Sequence, residues 1–117
     1  MINSFESEKK IILDIGAGTG DFLKTCASDG WDVMAVEPND SARERAELKL
    51  KNKARGFYKS MSNLLEKEDL FSSFDVITLW HVLEHMPNLD ETIFNLKKLL
   101  KPQGTLIVAV PLSLIHI

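Results

Sequence analysis

The stretch KKIILDIGAGTGDF, residues 9–22, limits the possible folds more than any other part of this chain. A largely β-branched run, Ile11 to Ile15, leads straight into three glycines, Gly16, Gly18 and Gly20. Such a run marks a strand buried on both faces, as in a parallel sheet, where alternation of polar and apolar residues would mark a half-wet one. Glycines at its end let the backbone turn tightly and let a ligand touch the main chain with no Cβ in the way. Asp21–Ser28 then places Phe22, Leu23, Cys26 and Ala27 at helical spacing, and Gly30 stops the helix.

The same alternation continues to the end of the chain. WDVMAVEPN supplies a second strand, Asp32–Val36, and Asp40 or Ser41 is placed to cap the next helix, with Glu44 completing a capping box. That helix reaches about Lys51, and RGFYKS makes a short third strand. SNLLEKEDLF reads as a short helix or turn, and FDVITLW as a fourth strand. From Asn88 a helix carries Leu89, Ile93, Leu96, Leu99 and Leu100 inward until Pro102 ends it, and GTLIVAV is a fifth strand closed by Pro111. Five strands alternating with helices over 117 residues predict one α/β domain, a doubly wound, Rossmann-like parallel sheet with right-handed crossovers.

In such sheets the ligand lies beyond the carboxyl ends of the strands, where the strand order reverses. The glycines fall there, and Glu37 ends the second strand 21 residues after Gly16. An acid in that position accepts both hydroxyls of an adenosine ribose. A dinucleotide fingerprint has glycine at its sixth place, but GAGTGD has Asp21. A carboxylate at a helix N-terminus repels a diphosphate where its charge should settle. With Asp14 just before the loop, two carboxylates suit a ligand bearing a sulfonium and an α-ammonium better than a dinucleotide. A nicotinamide-dependent oxidoreductase domain stays as the alternative enzyme.

ILDIGAGTGDF resembles the first motif of class I S-adenosylmethionine-dependent methyltransferases. VEPN resembles their second, and FDVITLWHVLEHMPN with LKKLLKPQGTLIVAVP resembles the segment around their fourth and fifth strands. The chain is most similar to small-molecule enzymes of the ubiquinone-biosynthesis type, from Ile11 to Pro111. This resemblance implies strand order 3-2-1-4-5, S-adenosylmethionine as cofactor and a small-molecule methyl acceptor. It sets Asp14, Gly16, Ala17 and Gly18 around the methionine part, Glu37 on the ribose, and Pro38 and Asn39 beside the adenine. Ser60 and Met61 would edge the adenine ring, where the family usually shows a clearer acid. Trp80 and His81 would close the pocket near the sulfonium. A module of this kind that binds cofactor without transferring methyl is the non-enzyme alternative.

His81, Glu84 and His85 spell H-x-x-E-H, a zinc-peptidase pattern in which two histidines share one helix face. Here the pair spans a strand–helix junction, and only Asp90 and Glu91 follow as nearby acids, so no metal is assigned. His85 is a structural histidine or, facing the acceptor, a candidate base, since an imidazole of ordinary pKa suits a hydroxyl proton.

The resemblance implies an antiparallel strand pair after the fifth strand, which this chain is expected to lack, leaving that strand as an apolar edge. The end, LSLIHI, reads like the translation of a transposase adaptor used in sequencing libraries. Residues 1–111 are therefore expected to be the methyltransferase core, C-terminally truncated, and Leu112 to Ile117 a non-native tail.

Charge and composition narrow the partners. A net charge of −3 provides no basic field for nucleic acid, and LKLKNKAR reads as the solvated end of a helix. Cys26, the one cysteine, allows no internal disulfide and is expected to be a buried, inert thiol. No apolar run reaches the ~20 residues needed to span a bilayer, and MINSFESEKK lacks the apolar stretch of a signal peptide. A cytoplasmic protein is expected, with no assigned oligomeric state.

Overall fold

The computed structural model describes residues 10–80 and 88–109. In chain order these form β1 (Ile11–Ile15), α1 (Asp21–Ser28), β2 (Asp32–Val36), α2 (Asp40–Leu50), β3 (Ala54–Tyr58), α3 (Met61–Leu65), β4 (Phe74–Trp80), α4 (Leu89–Leu99) and β5 (Leu100–Ala109). Single 3-10 turns, Lys51–Lys53 and Glu68–Leu70, precede β3 and β4. The sheet order is β3-β2-β1-β4-β5 with every neighbouring pair parallel, as expected. β1 is central, flanked by β2 and β4, so its carboxyl end lies at the reversal of strand order.

Alternation along the strands sorts the core into two clusters. Leu13, Ile15, Met34, Val36, Ile77 and Leu79 pack with Phe74, with Leu64 of α3 and with Leu96 and Leu99 of α4. Ile12, Val33 and Ala35 pack on the other side with Ala17, Leu23 of α1 and Leu50 of α2. Each large aliphatic side chain taken fully from water contributes roughly 1.5–3 kcal/mol. These clusters hold the strand ends, and hence the site, in place.

Three local expectations change. Asn39, not Asp40 or Ser41, caps α2: its backbone is extended and its Oδ1 accepts the Ala42 N–H at 2.8 Å. Asp40 lies inside the first turn and pairs with Arg43 at 2.6 Å. α4 ends at Leu99, before Pro102, because the Ser72 and Ser73 amides donate to the Lys98 and Leu99 carbonyls at 2.9 and 3.0 Å. Pro102 instead lies within β5, where the register slips from the Phe74–Leu100 pair to the Val76–Thr105 pair. A residue with no N–H to give is tolerated in such a bulge on an edge strand. Finally, Cys26 is half-buried rather than buried, beside the cluster of Leu23 and Val33, and burial together with the Asp14 and Asp29 charges raises its thiol pKa.

β5 stands at the sheet edge with Ile107 and Val108 exposed. Leu48, in the basic run, is exposed, whereas Leu50 is fully buried. Among the described residues no helix is long and apolar enough to cross a membrane. His81, Glu84, His85, Pro111 and Leu112 to Ile117 lie outside the described residues.

Candidate functional site

The loop after β1 folds onto β2. The Gly16 and Ala17 amides both donate to the Val36 carbonyl, at 2.8 and 3.1 Å, and the Gly20 amide donates to the Ala17 carbonyl at 3.1 Å. The Gly18 amide donates to Glu37 Oε1 at 2.7 Å, and the Asn39 amide to Glu37 Oε2 at 2.9 Å. Gly16, Gly18 and Gly20 have φ of 83, 61 and 87°, a region costly for residues with a Cβ. Gly20 has a second constraint: a Cβ there would stand 3.1 Å from Ala46 Cβ, so glycine also sets how closely α1 meets α2.

Glu37 is thus the hub of the site. Its backbone N–H donates to the Tyr58 carbonyl at 2.9 Å, and its own carbonyl accepts Arg43 Nη1 at 2.9 Å. With both oxygens already held by backbone amides, the carboxylate is oriented before any ligand arrives, and each oxygen keeps a lone pair for a hydroxyl donor.

Asp14 lies one strand away and is almost wholly buried. The Thr78 hydroxyl of β4, its register partner, donates to Asp14 Oδ1 at 2.7 Å. Burial pushes the Asp14 carboxyl up to about 7; the Thr78 hydrogen bond opposes this and the Glu37 charge adds to it. Among the described residues no other hydrogen-bond donor reaches this carboxyl group. Asp21, the carboxylate at the N-terminus of α1, behaves differently from Asp14. It is exposed and bonds Lys49 of α2, whose ammonium holds its carboxyl below the usual range. The pair of acids at the site is therefore Asp14 and Glu37.

The remaining candidates gather at the same carboxyl end of the sheet. Pro38 and Asn39 are exposed directly after β2. Ser60 follows β3, where its Oγ caps α3 and also donates to Asn63 Oδ1 at 3.1 Å. Met61 is half-buried against the cluster of Leu13 and Leu64. Trp80 ends β4 one step beyond the Ile15–Leu79 pair, its backbone paired with Ala109. The candidates missed from sequence are Thr78 and Arg43. The strand order with β1 beside β4 was a usable signal for Thr78, but no local motif marks it.

Chemically, the site is rich in acceptors and poor in donors. The Gly16, Ala17, Gly18 and Gly20 amides all point at the protein's own oxygens. A diphosphate needs those donors free. A ribose diol and an ammonium need acceptors, which Glu37 and Asp14 provide. This arrangement of acceptors fits a nucleoside joined to a cationic group better than one joined to a diphosphate.

The comparisons with known proteins agree. The chain belongs to the methyltransferase-domain family, whose model matches residues 3–116, in the class that uses S-adenosylmethionine. It is 33% identical over 109 residues to the mitochondrial ubiquinone biosynthesis O-methyltransferase of Schizosaccharomyces pombe, covering 92% of this chain and 39% of that protein. The ubiquinone biosynthesis O-methyltransferase of Rickettsia conorii is 32% identical over 107 residues, covering 91% and 36%. Protein arginine N-methyltransferase 6 of Danio rerio is 33% identical over 109 residues, covering 90% and 31%. The chain thus spans well under half the length of these curated relatives. Among solved structures, the S-adenosylmethionine-dependent methyltransferase of Mesorhizobium loti superposes with a TM-score of 0.73 at 20% identity, covering 88% of this chain and 47% of that one. That of Aquifex aeolicus gives 0.67 at 19%, covering 85% and 56%.

Proposed function

We propose that the protein carrying this domain transfers the methyl group of S-adenosylmethionine to a small organic molecule, on oxygen in the first instance. The carrying observation is the Glu37 carboxylate, fixed by the Gly18 and Asn39 amides at 2.7 and 2.9 Å at the reversal of strand order. In this reading Glu37 accepts the ribose hydroxyls, Pro38, Asn39, Ser60 and Met61 border the adenine, and Asp14, Gly16, Ala17 and Gly18 surround the methionine part. The cofactor supplies an already activated methyl on a sulfonium. The chain's own residues therefore need to bind, orient and exclude water, and positioning provides most of the rate. Trp80 and His81 close the sulfonium end in this proposal, and His85 takes a proton from the acceptor hydroxyl. Oxygen is favoured over nitrogen because two of the three relatives named above carry O-methyltransferase in their names.

Calorimetric titration with S-adenosylhomocysteine tests the cofactor reading. Saturable binding is expected, weakened in Glu37→Gln by at least about 1 kcal/mol, roughly fivefold, through loss of a charged acceptor. A folded chain that does not bind, or a variant that binds as tightly as wild type, overturns it. Transfer of radiolabelled methyl to small hydroxylated molecules by the full protein tests the acceptor; label appearing only on polypeptide would replace the small-molecule reading with a protein acceptor.

A further inference from the structure

Thr78 belongs to no motif of the cofactor loop, yet it touches Asp14, an acid 1% exposed on the α1/α2 side of the sheet. We propose that Thr78 is a positioning residue of the cofactor site: its hydroxyl holds one oxygen of the Asp14 carboxylate and leaves the other for the α-ammonium of the cofactor. The inference rests on the reading of this site as an S-adenosylmethionine site and adds to it a residue through which cofactor binding becomes sensitive to pH.

Three observations carry it. First, β1 and β4 are paired so that Asp14 and Thr78 stand side by side at the reversal of strand order. Second, both side chains are 1% exposed on a face otherwise built from Ile12, Val33, Ala35 and Leu23. Burying a hydroxyl and a carboxyl there disfavours folding unless they are bonded, and the valine that has the shape of threonine would serve the core as well. Third, the hydrogen bond is short, 2.7 Å, and only one carboxyl oxygen is engaged among the described residues. A buried carboxylate is kept ionised by two or three donors or by a cation, and among the described residues Asp14 has a single neutral donor.

The surroundings set the sign. From β2 the Glu37 charge raises the Asp14 pKa, from β4 the Thr78 hydroxyl lowers it, and from α1 the Cys26 thiol responds to the Asp14 charge. His81 and His85 follow β4 outside the described residues. Asp14 is thus partly protonated near neutrality in the ligand-free chain, and an arriving ammonium expels the proton. Removing the Thr78 hydroxyl destabilises the ionised form and raises the pH at which binding becomes tight.

The test is calorimetric titration of S-adenosylhomocysteine between pH 6 and pH 8.5, in buffers of different ionisation heat, with wild type, Thr78→Val and Thr78→Ser. Wild type is expected to release about half a proton per ligand at pH 7 and to lose affinity toward tenfold per unit below it. Thr78→Val should move this midpoint upward and weaken binding at pH 7 about five- to tenfold, and Thr78→Ser should restore both values. If Thr78→Val does not give a cooperative melt, Thr78→Ala carries the same expectation. A hydroxyl-free variant that binds with the wild-type midpoint and proton release overturns the role of Thr78 alone. A folded wild-type chain that does not bind overturns the cofactor reading with it.

Discussion

The two faces of the central sheet differ in what they contain. The face toward α3 and α4 is apolar throughout, from Leu13 and Ile15 across Met34, Val36, Ile77 and Leu79 to Phe74, Leu96 and Leu99. The face toward α1 and α2 has the same strand pattern with Ile12, Val33 and Ala35, but Asp14 and Thr78 interrupt it. One face serves packing alone. The other gives up part of that stability to keep an acid within a few residues of the glycine loop, a trade expected where a site must hold a charge ready for a ligand.

Breaking the apolar face should have the largest effect on folding. Phe74→Ala removes a side chain 1% exposed between β4 and the α4 side, and should destabilise by about 4 kcal/mol at any pH, read from urea midpoints. The polar face should respond in the opposite direction. The folded pKa of Asp14, about 7, lies above the ordinary 3.8, so between those values the folded chain binds the proton that the unfolded chain releases. That contribution to stability is present at low pH and is lost as pH rises toward about 7. Asp14→Asn removes the loss: its stability relative to wild type should rise by about 2–3 kcal/mol between pH 5 and pH 8 while cofactor affinity falls. A gap independent of pH would mean that the burial of Asp14 does not set its ionisation. The smallest effect probes the joint between the site and its supporting helices. Gly20→Ala imposes a positive φ and a 3.1 Å contact with Ala46, and should lower stability by about 1–2 kcal/mol, seen as a lower melting temperature.

Much of the fold was legible because its signals are local. β1, α1, β2 and β4 have the ends expected from the apolar runs and from the glycines that interrupt them. Glu37 and the loop could be placed from one β-α-β unit, and they do meet. The cap of α2 was misread because Asn39, Asp40 and Ser41 are all good caps in a row. The choice fell to Asn39, whose own amide is tied to Glu37 at the exit of β2. Pro102 was misread because a helix breaker in sequence does not say where the helix has already stopped. That was decided by amides of Ser72 and Ser73, some 26 residues earlier in the chain. The pairing of Asp21 was not legible from its own neighbourhood, because its partner, Lys49, lies on another helix.

The sequence by itself determined the strand–helix alternation, the glycine turn and the acid that ends β2, since each depends on residues adjacent along the chain. Tertiary structure decided which polar groups meet: Lys49 with Asp21, and Thr78 with Asp14 across 64 positions. The physical reason is range. Backbone preference and hydrophobic period act over a few residues, whereas a side chain's hydrogen-bond partner and its burial, and with them the ionisation of Asp14, exist only once β4 has paired with β1.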